Sequence, residues 1–231
     1  MKTAGNFYPR KWNHEFIDLP DVAGQRTPTF IAEEIQQIVS RCGGQFAVLY
    51  ALLTATGLRV GEALALEIAH FHDGFLSIRQ SIWNGRLQSP KTKSGTREVD
   101  LAWPVAAIEN FIDGRKEGFI FRASNGSALA QSNVLRRSLH PTLASMKREK
   151  TGFHSFRRFR VTHLRKQGTP EDLLRFWIGH GDKTVTDPHA KLSEDVPSAK
   201  RKRSELGLAS TSKLSPDVPK HSTRNDLRKL W

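Results

Sequence analysis

The chain has 231 residues, of which 38% are hydrophobic, so it can bury one sizeable core but hardly two. Its formal net charge of +13 favours a polyanionic partner, with nucleic acid as the first candidate and an anionic membrane as the competitor. No apolar run approaches the roughly 20 residues that span a bilayer. Cys42 stands alone, which excludes an intramolecular disulfide and a thiolate-rich metal cluster. We therefore expect a soluble, cytoplasmic protein with no membrane partner.

The chain begins with a segment that has no periodic pattern. Residues 1–28 mix proline, asparagine and glycine with charges, which predicts an extended arm or interdomain linker. Thr29 is the candidate N-cap of a first helix that runs to about Cys42 and carries two acidic residues near its first turn.

Two further helical segments follow. Residues 45–55 are rich in Ala and Leu, which predicts a buried helix that includes Tyr50. Gly57 should end this helix, because glycine favours the left-handed conformation found after helix C-termini. Arg59 then opens a short helical stretch that runs to Leu66.

A change of period at Gly74 predicts β-structure. The residues up to Trp83 are mostly β-formers, and Asn84-Gly85 is the strongest short hairpin signal. Residues 86–89 return as a second strand, and residues 97–101 alternate as a third strand. We expect one small antiparallel sheet of three strands.

Helices resume after the sheet. They are predicted over residues 104–116, 131–147, 154–167 and 170–178, with an interruption near Pro141. The fold class is therefore mainly α with a small antiparallel three-stranded sheet (α+β). An aromatic stripe should pack into the core rather than stack on bases; it consists of Phe153, Phe156, Phe159 and Trp177. Residues 197–231 lose apolar periodicity and gain basic residues, which predicts a largely disordered basic tail.

Four segments carry candidate chemistry: Thr56–Leu66, Pro90–Arg97, His154–Arg158 and Trp177–His180. Each alone is weak, because a single arginine, a Lys-Thr-Lys turn or an Ile-Gly-His triplet is ordinary on a protein surface. Their joint order, with a predicted hairpin between the first and third segments, is specific. Together they resemble the C-terminal catalytic domain of the tyrosine recombinase (phage integrase) family, over about residues 26–196.

The resemblance implies a fold, a set of site residues and a partner. It implies a catalytic domain over residues 29–196, with the family's fold, that binds double-stranded DNA for integration and strand exchange in mobile elements. It implies no cofactor and no metal. The implied catalytic residues are Arg59, Lys91, His154, Arg157 and His180, with Lys93 as the alternative to Lys91 and Glu62 in support. The implied DNA contacts are Arg59, Arg157, Arg158 and Lys93.

The chemistry of phosphodiester cleavage supports these assignments independently. Attack on a phosphate builds charge on the non-bridging oxygens, and the planar fork of arginine donates two hydrogen bonds to them. Glu62 follows Arg59 by one helical turn, and His154 and Arg157 share the same spacing, so each pair lies on one helix face. Lys91, on a hairpin tip, suits a general acid that protonates the leaving oxygen. We expect Arg157 to be a surface charge whose replacement by alanine leaves the fold nearly intact.

The sequence departs from the family at the nucleophile. The family's tyrosine usually lies nine residues after the His of the Gly-His motif, and His189 occupies that position here. Pro188 should bend or break the surrounding helix. Tyr8 and Tyr50, the two tyrosines of the chain, are poor substitutes, because Tyr50 lies in a buried helix and Tyr8 on the arm. Imidazole attack would leave a labile phosphoramidate. The arm also replaces the helical core-binding domain that usually precedes the catalytic one, which suggests a truncated or decayed gene product.

Three hypotheses follow for the function. The first is a DNA-binding recombinase domain that cannot complete strand cleavage. The second is a DNA-binding or regulatory remnant whose partner is an intact recombinase or a second copy of the chain on DNA. The third is a basic RNA- or membrane-associated protein with accidental motif matches. A zinc site among His154, His163, His180 and His189 is disfavoured, because their spacing matches no compact zinc pattern.

Overall fold

A computed structural model of the chain describes residues 28–89, 96–101 and 105–179. Helix α1 (Ala32–Arg41) begins after Ile31, not at Thr29 as the sequence suggested. Glu34 reaches back to accept a hydrogen bond from the backbone N–H of Ile31 (3.0 Å), so this carboxylate satisfies the free backbone donor. Thr29 is exposed and lies two residues before Ile31, which holds the capping position.

Helix α2 (Gly44–Thr56) forms the centre of the core. The side chains from Leu49 to Thr56 are all buried. The helix ends at Gly57, which has φ +68° and donates its N–H to Leu53 O, so the predicted helix stop is confirmed. The left-handed turn at Gly57 reverses the chain into helix α3 (Val60–Leu64), which begins directly after Arg59.

The β-structure forms two small antiparallel sheets. Strands β1 (Phe71–His72), β2 (Phe75–Ile78) and β5 (Arg97–Asp100) pair in the order β1-β2-β5. Strands β3 (Ser81–Trp83) and β4 (Arg86–Gln88) form a separate hairpin.

The membership of the three-stranded sheet differs from the sequence-based prediction. The returning strand over 86–89 belongs to the separate hairpin, and β1 takes the third place in the sheet. The chain leaves the sheet after Ile78, where Gln80 donates to Ala65 O (2.8 Å) and to Glu67 Oε1 (2.9 Å). These two bonds hold the chain between β2 and β3 against the residues that directly follow α3.

The rest of the described chain is helical. It contains α4 (Val105–Ile112), α5 (Gln131–Val134), a π-helical turn (Leu135–Leu139), α6 (His140–Ser145), α7 (His154–Lys166) and α8 (Glu171–Ile178). The interruption expected near Pro141 is this π-helical turn. Proline has no N–H to donate to the preceding turn, so the regular α-helical bonding is broken there. The predicted fold class, mainly α with a small antiparallel sheet, is confirmed.

Helix α7 packs its aromatic side chains on α2. Phe156 stacks on Tyr50, with ring centroids 5.3 Å apart, and Phe153 is buried beside it. The prediction that the aromatic stripe belongs to the core is therefore confirmed for Phe153 and Phe156. Phe159 packs against the same core, and Trp177 packs against a separate small cluster formed by Leu164, Leu174 and Ile178. Within the described ranges, no helix has both the length and the apolar character needed to cross a membrane.

Candidate functional site

Arg59 stands at the turn between α2 and α3. The left-handed Gly57 and the extended backbone of Arg59 (φ −67°, ψ 142°) place this side chain at the N-terminus of α3. The Arg59 guanidinium is 46% exposed and donates from Nη1 to Glu62 Oε1 at 3.1 Å. It is therefore held on one side and open to a ligand on the other.

Glu62 links two arginines beneath this opening. Its buried carboxylate accepts the backbone N–H of Arg59 (3.0 Å) and two hydrogen bonds from Arg97, at 3.3 Å from Nη1 and 3.0 Å from Nη2. Burial alone would raise the pKa of Glu62, but the hydrogen bonds and positive charge of Arg97 outweigh it and lower the pKa. The carboxylate is thus ionised at neutral pH, and the predicted support of Arg59 by Glu62 is present in the structure.

Arg97 is a member of this cluster that sequence reasoning missed. Its side chain is 7% exposed, and it also donates from Nη2 to Ile178 O at 3.4 Å. A Cβ atom on Gly179 would lie 2.5 Å from Arg97 Cζ, so the guanidinium packs where any other residue would place its side chain. Arg97 therefore joins β5, α3 and the end of α8.

A signal for Arg97 was present in the sequence. Arg97, Val99 and Leu101 alternate along the strand, and Val99 and Leu101 are buried. Alternate residues of a strand point to the same face, so Arg97 occupies a core-facing position. A charge on the apolar face of a strand requires a buried partner, and Glu62 supplies it.

Arg157 lies in the interior, so the expectation that it is a surface charge was wrong. Only 5% of Arg157 is exposed, and its Nη1 donates to Gly57 O at 2.6 Å. It sits one turn after Phe153, on the face of α7 that packs on α2. Burial, and then the positive charge of Arg59, lower the pKa of Arg157 to about 10, so the side chain is charged at neutral pH at a cost to stability.

His154 occupies the exposed first position of α7. Partial burial and the nearby charges of Arg157, Arg158 and Arg59 lower its pKa, so the ring is neutral at pH 7. Arg158 itself donates from Nε to Pro28 O at 3.0 Å, at the first described residues of the domain.

An open cleft of about 830 Å³ adjoins the cluster. Its lining includes Arg59, Glu62 and His154, together with Ser81, Trp83 and Gln88 of the hairpin. Lys91, Lys93, Pro188, His180 and His189 lie outside the described residues. The structure therefore brings together four of the predicted site residues, from segments up to 100 positions apart; they are Arg59, Glu62, His154 and Arg157.

Comparison with known proteins identifies the family. The family model described as the phage integrase family matches residues 29–194. The chain belongs to the phage integrase family. This confirms the resemblance to tyrosine recombinases that the four segments indicated. A search of curated protein sequences found no match to this integrase-family chain.

Solved structures of recombinases share the fold of this integrase-family domain. An integrase of the Tn1549 transposon, in complex with circular intermediate DNA, matches with a TM-score of 0.59 and 18% identity, over 77% of this chain and 68% of that one. XerA recombinase matches with a TM-score of 0.57 and 17% identity, over 79% and 67%. A lambda integrase dimer bound to a core site matches with a TM-score of 0.51 and 16% identity, over 73% and 51%.

Proposed function

We propose that this integrase-family domain binds double-stranded DNA and holds one backbone phosphate at Arg59 and His154, with Arg157 beneath them. The convergence of these three residues carries the proposal. Arg59 is exposed on the side away from Glu62 and can donate to two phosphate oxygens. The neutral ring of His154 can donate one further hydrogen bond. Arg157 adds positive potential from below, because its charge already acts on His154.

Duplex DNA is the ligand that the charge and the relatives favour. The chain carries a formal net charge of +13, which suits a polyanion. The Tn1549 integrase and lambda integrase structures are complexes with DNA. We assign DNA binding to residues 29–196, with further backbone contacts from Arg158, Lys93 and the basic tail 197–231, and with residues 1–28 as an arm. We assign Lys91 the general acid position and His180 a further phosphate donor.

We also propose that the domain does not complete strand cleavage by the family route. The family match continues to residue 194, past His189, which supports the alignment that places histidine at the nucleophile position. Tyr50 is a poor substitute, because it is fully buried and donates its hydroxyl to Ser138 Oγ at 2.9 Å. Burial raises the pKa of Tyr50 and so disfavours the phenolate that attack on phosphorus would use.

A suicide DNA substrate, which traps a covalent protein–DNA intermediate, tests this proposal. The unmodified protein should bind the substrate and form no denaturant-stable adduct. His189→Tyr alone should restore little, since Pro188 would still displace the ring, and a misplacement of about 1 Å can cost roughly a hundredfold in rate. Pro188→Arg combined with His189→Tyr should trap a 3′-phosphotyrosyl adduct, and adding Arg59→Ala should abolish it. A covalent adduct of the unmodified protein would overturn the proposal, and mass spectrometry of the linked peptide would identify the attacking residue.

The second candidate function is a binding-only role, in which the domain occupies DNA beside an intact recombinase or a second copy of itself. The retained Arg59–Glu62–Arg97 cluster favours it, because a phosphate site without a nucleophile can bind DNA but not cut it. Mixing the protein with an active relative on a shared DNA site distinguishes a regulatory partner from a simple competitor for that site. A regulatory partner should change the relative's cleavage rate at protein concentrations that leave part of the DNA free, whereas a simple competitor should act only by occupying the site.

A further inference from the structure

The hairpin β3–β4 packs against α3, beside Arg59. Strand β3 crosses α3 at Gly61, where a Cβ atom would lie 2.6 Å from Ile82 O. Only glycine permits this close approach of strand and helix backbones. Ile82 is buried at the contact, with 7% exposure. Because Arg59 lies at the N-terminus of α3, this contact places the hairpin close to Arg59.

The hairpin presents two different faces. Trp83 pairs directly with Arg86, and Ser81 with Gln88, so these four side chains share one face. Ile82 pairs with Leu87 on the opposite face. The tip is the tight turn Asn84-Gly85, with φ +48° and +75°, which keeps Trp83 and Arg86 opposite each other.

The face that carries Trp83 forms a wall of the cleft. Ser81, Trp83 and Gln88 line the same cleft as Arg59 and His154, and Ile82 of the hairpin also reaches it. Trp83 is 60% exposed, so its ring is accessible to a ligand that enters the cleft. In duplex DNA, an aromatic ring beside a phosphate site can pack on a sugar, and a glutamine amide can bind a base edge in a groove.

We propose that this face of the hairpin is a nucleotide-contacting surface, in which Trp83 and Gln88 bind the nucleotide next to the phosphate held at Arg59. The inference rests on the proposed function, since the phosphate site sets which ligand enters the cleft. Duplex DNA is the occupant because the phosphate-binding side and the apolar side belong to one cleft, and because Arg86 adds a cation beside Trp83. Trp83 and Gln88 supply affinity that does not depend on counterion release, because neither side chain is charged.

The test is the affinity for a duplex of about 30 base pairs, measured by fluorescence anisotropy on the full chain over a range of salt concentrations. Trp83→Ala should weaken binding about tenfold, because the protein would lose the apolar surface that this ring buries against the DNA. It should leave the dependence of affinity on salt unchanged, because no cation is removed. Trp83→Phe, which keeps an aromatic face, should retain most of the affinity. Gln88→Ala should weaken binding about threefold to tenfold.

Leu87→Ala is the matched control. Leu87 is 52% exposed on the same hairpin but on the opposite face, so its loss should change the affinity less than twofold. Each variant removes an exposed side chain, and equal melting temperatures by circular dichroism would confirm that each one folds. If Trp83→Ala and Leu87→Ala bind DNA equally well, the surface inference is wrong.

Arg59→Ala separates this inference from the proposed function. It should weaken binding and reduce the salt slope by about one counterion. If Arg59→Ala has this effect and Trp83→Ala has none, the phosphate site stands and the hairpin surface fails. If the unmodified chain does not bind duplex DNA, or binds a single-stranded RNA of equal length more tightly, both proposals fail.

Discussion

Gly179→Ala should destabilise the domain far more than Gly168→Ala, although the two glycines have nearly the same backbone conformation, with φ +70° and +73°. Alanine in the left-handed region costs about 1 kcal/mol at either position. At Gly168 the added Cβ meets no atom within 4 Å. At Gly179 it would lie 2.5 Å from Arg97 Cζ, 2.7 Å from Nη1 and 2.8 Å from Nε, so the Arg97 guanidinium must move.

The additional cost follows from what Arg97 would lose. Its guanidinium is nearly buried and donates two hydrogen bonds to the buried carboxylate of Glu62. Breaking a buried ion pair costs about 3–5 kcal/mol, because the remaining charge loses its partner. Arg59 still donates to Glu62, so we expect the lower end of this range. The free energy of unfolding should therefore fall by about 4 kcal/mol for Gly179→Ala and by about 1 kcal/mol for Gly168→Ala.

Urea unfolding of the two variants measures this difference directly, and the Arg97→Ala background assigns its cause. Without the Arg97 side chain, Gly179→Ala should cost no more than Gly168→Ala, since the alanine methyl then has room. The DNA affinity of Gly179→Ala should also fall, because Glu62 no longer receives the bonds that fix it beneath Arg59. Equal losses of unfolding free energy for the two glycine variants in the unmodified chain would refute the assignment of Arg97 as the residue that holds this cluster together.

Three further predictions concern Arg157, His154 and the hydrogen-bonded pair Tyr50 and Ser138. Arg157→Ala should lower the free energy of unfolding by about 2–5 kcal/mol, because it leaves a cavity. Arg157→Met should keep the free energy of unfolding within about 1 kcal/mol of the unmodified protein but bind DNA at least tenfold more weakly. Urea unfolding measures the stability of each variant, and fluorescence anisotropy measures its DNA affinity. The folded-state pKa of His154 lies below its ordinary value of 6.5, so the stability that its neutral ring contributes is complete above about pH 6.5 and is lost as the pH falls through the folded pKa. A bound phosphate should raise the pKa of His154. NMR titration of the protein with and without DNA would show this change. Tyr50→Phe should cost about 1 kcal/mol of unfolding free energy, and Ser138→Ala added to it should cost less than the sum of the two single changes, because the two hydroxyls form one hydrogen bond; thermal unfolding of the single and double variants tests this.

Features fixed by neighbouring residues were predictable from the sequence. Gly57 ends α2 as expected, because a helix that stops before a left-handed residue favours glycine. Asn84-Gly85 forms the expected hairpin turn, because both residues tolerate positive φ. The pair Arg59 and Glu62 is also local, since Glu62 in the first turn of α3 reaches back to Arg59 at the capping position.

Features that depend on distant partners were not predictable in the same way. The sequence of α7 places Arg157 beside Arg158, and nothing local distinguishes them. Arg157 is buried because its helix face meets α2, where Gly57 O accepts its hydrogen bond from 100 positions away. Arg158 instead contacts Pro28. The pairing of β1 with β2 was not predictable either, because a strand of two residues is too short to show an alternation of apolar and polar residues.

The charge balance of the cluster indicates why such costly residues are present together. The charges that act on Arg157 come from Arg59 and Arg97, which lower its pKa, and from Glu62, which raises it. After burial, the repulsion from Arg59 is the next largest cause, so the free domain carries positive charge in excess at this point. A cluster that served stability alone would be better built from apolar side chains of similar volume. An anionic ligand at the exposed edge of Arg59 would offset this repulsion, and in the proposed function a bound phosphate would be that ligand.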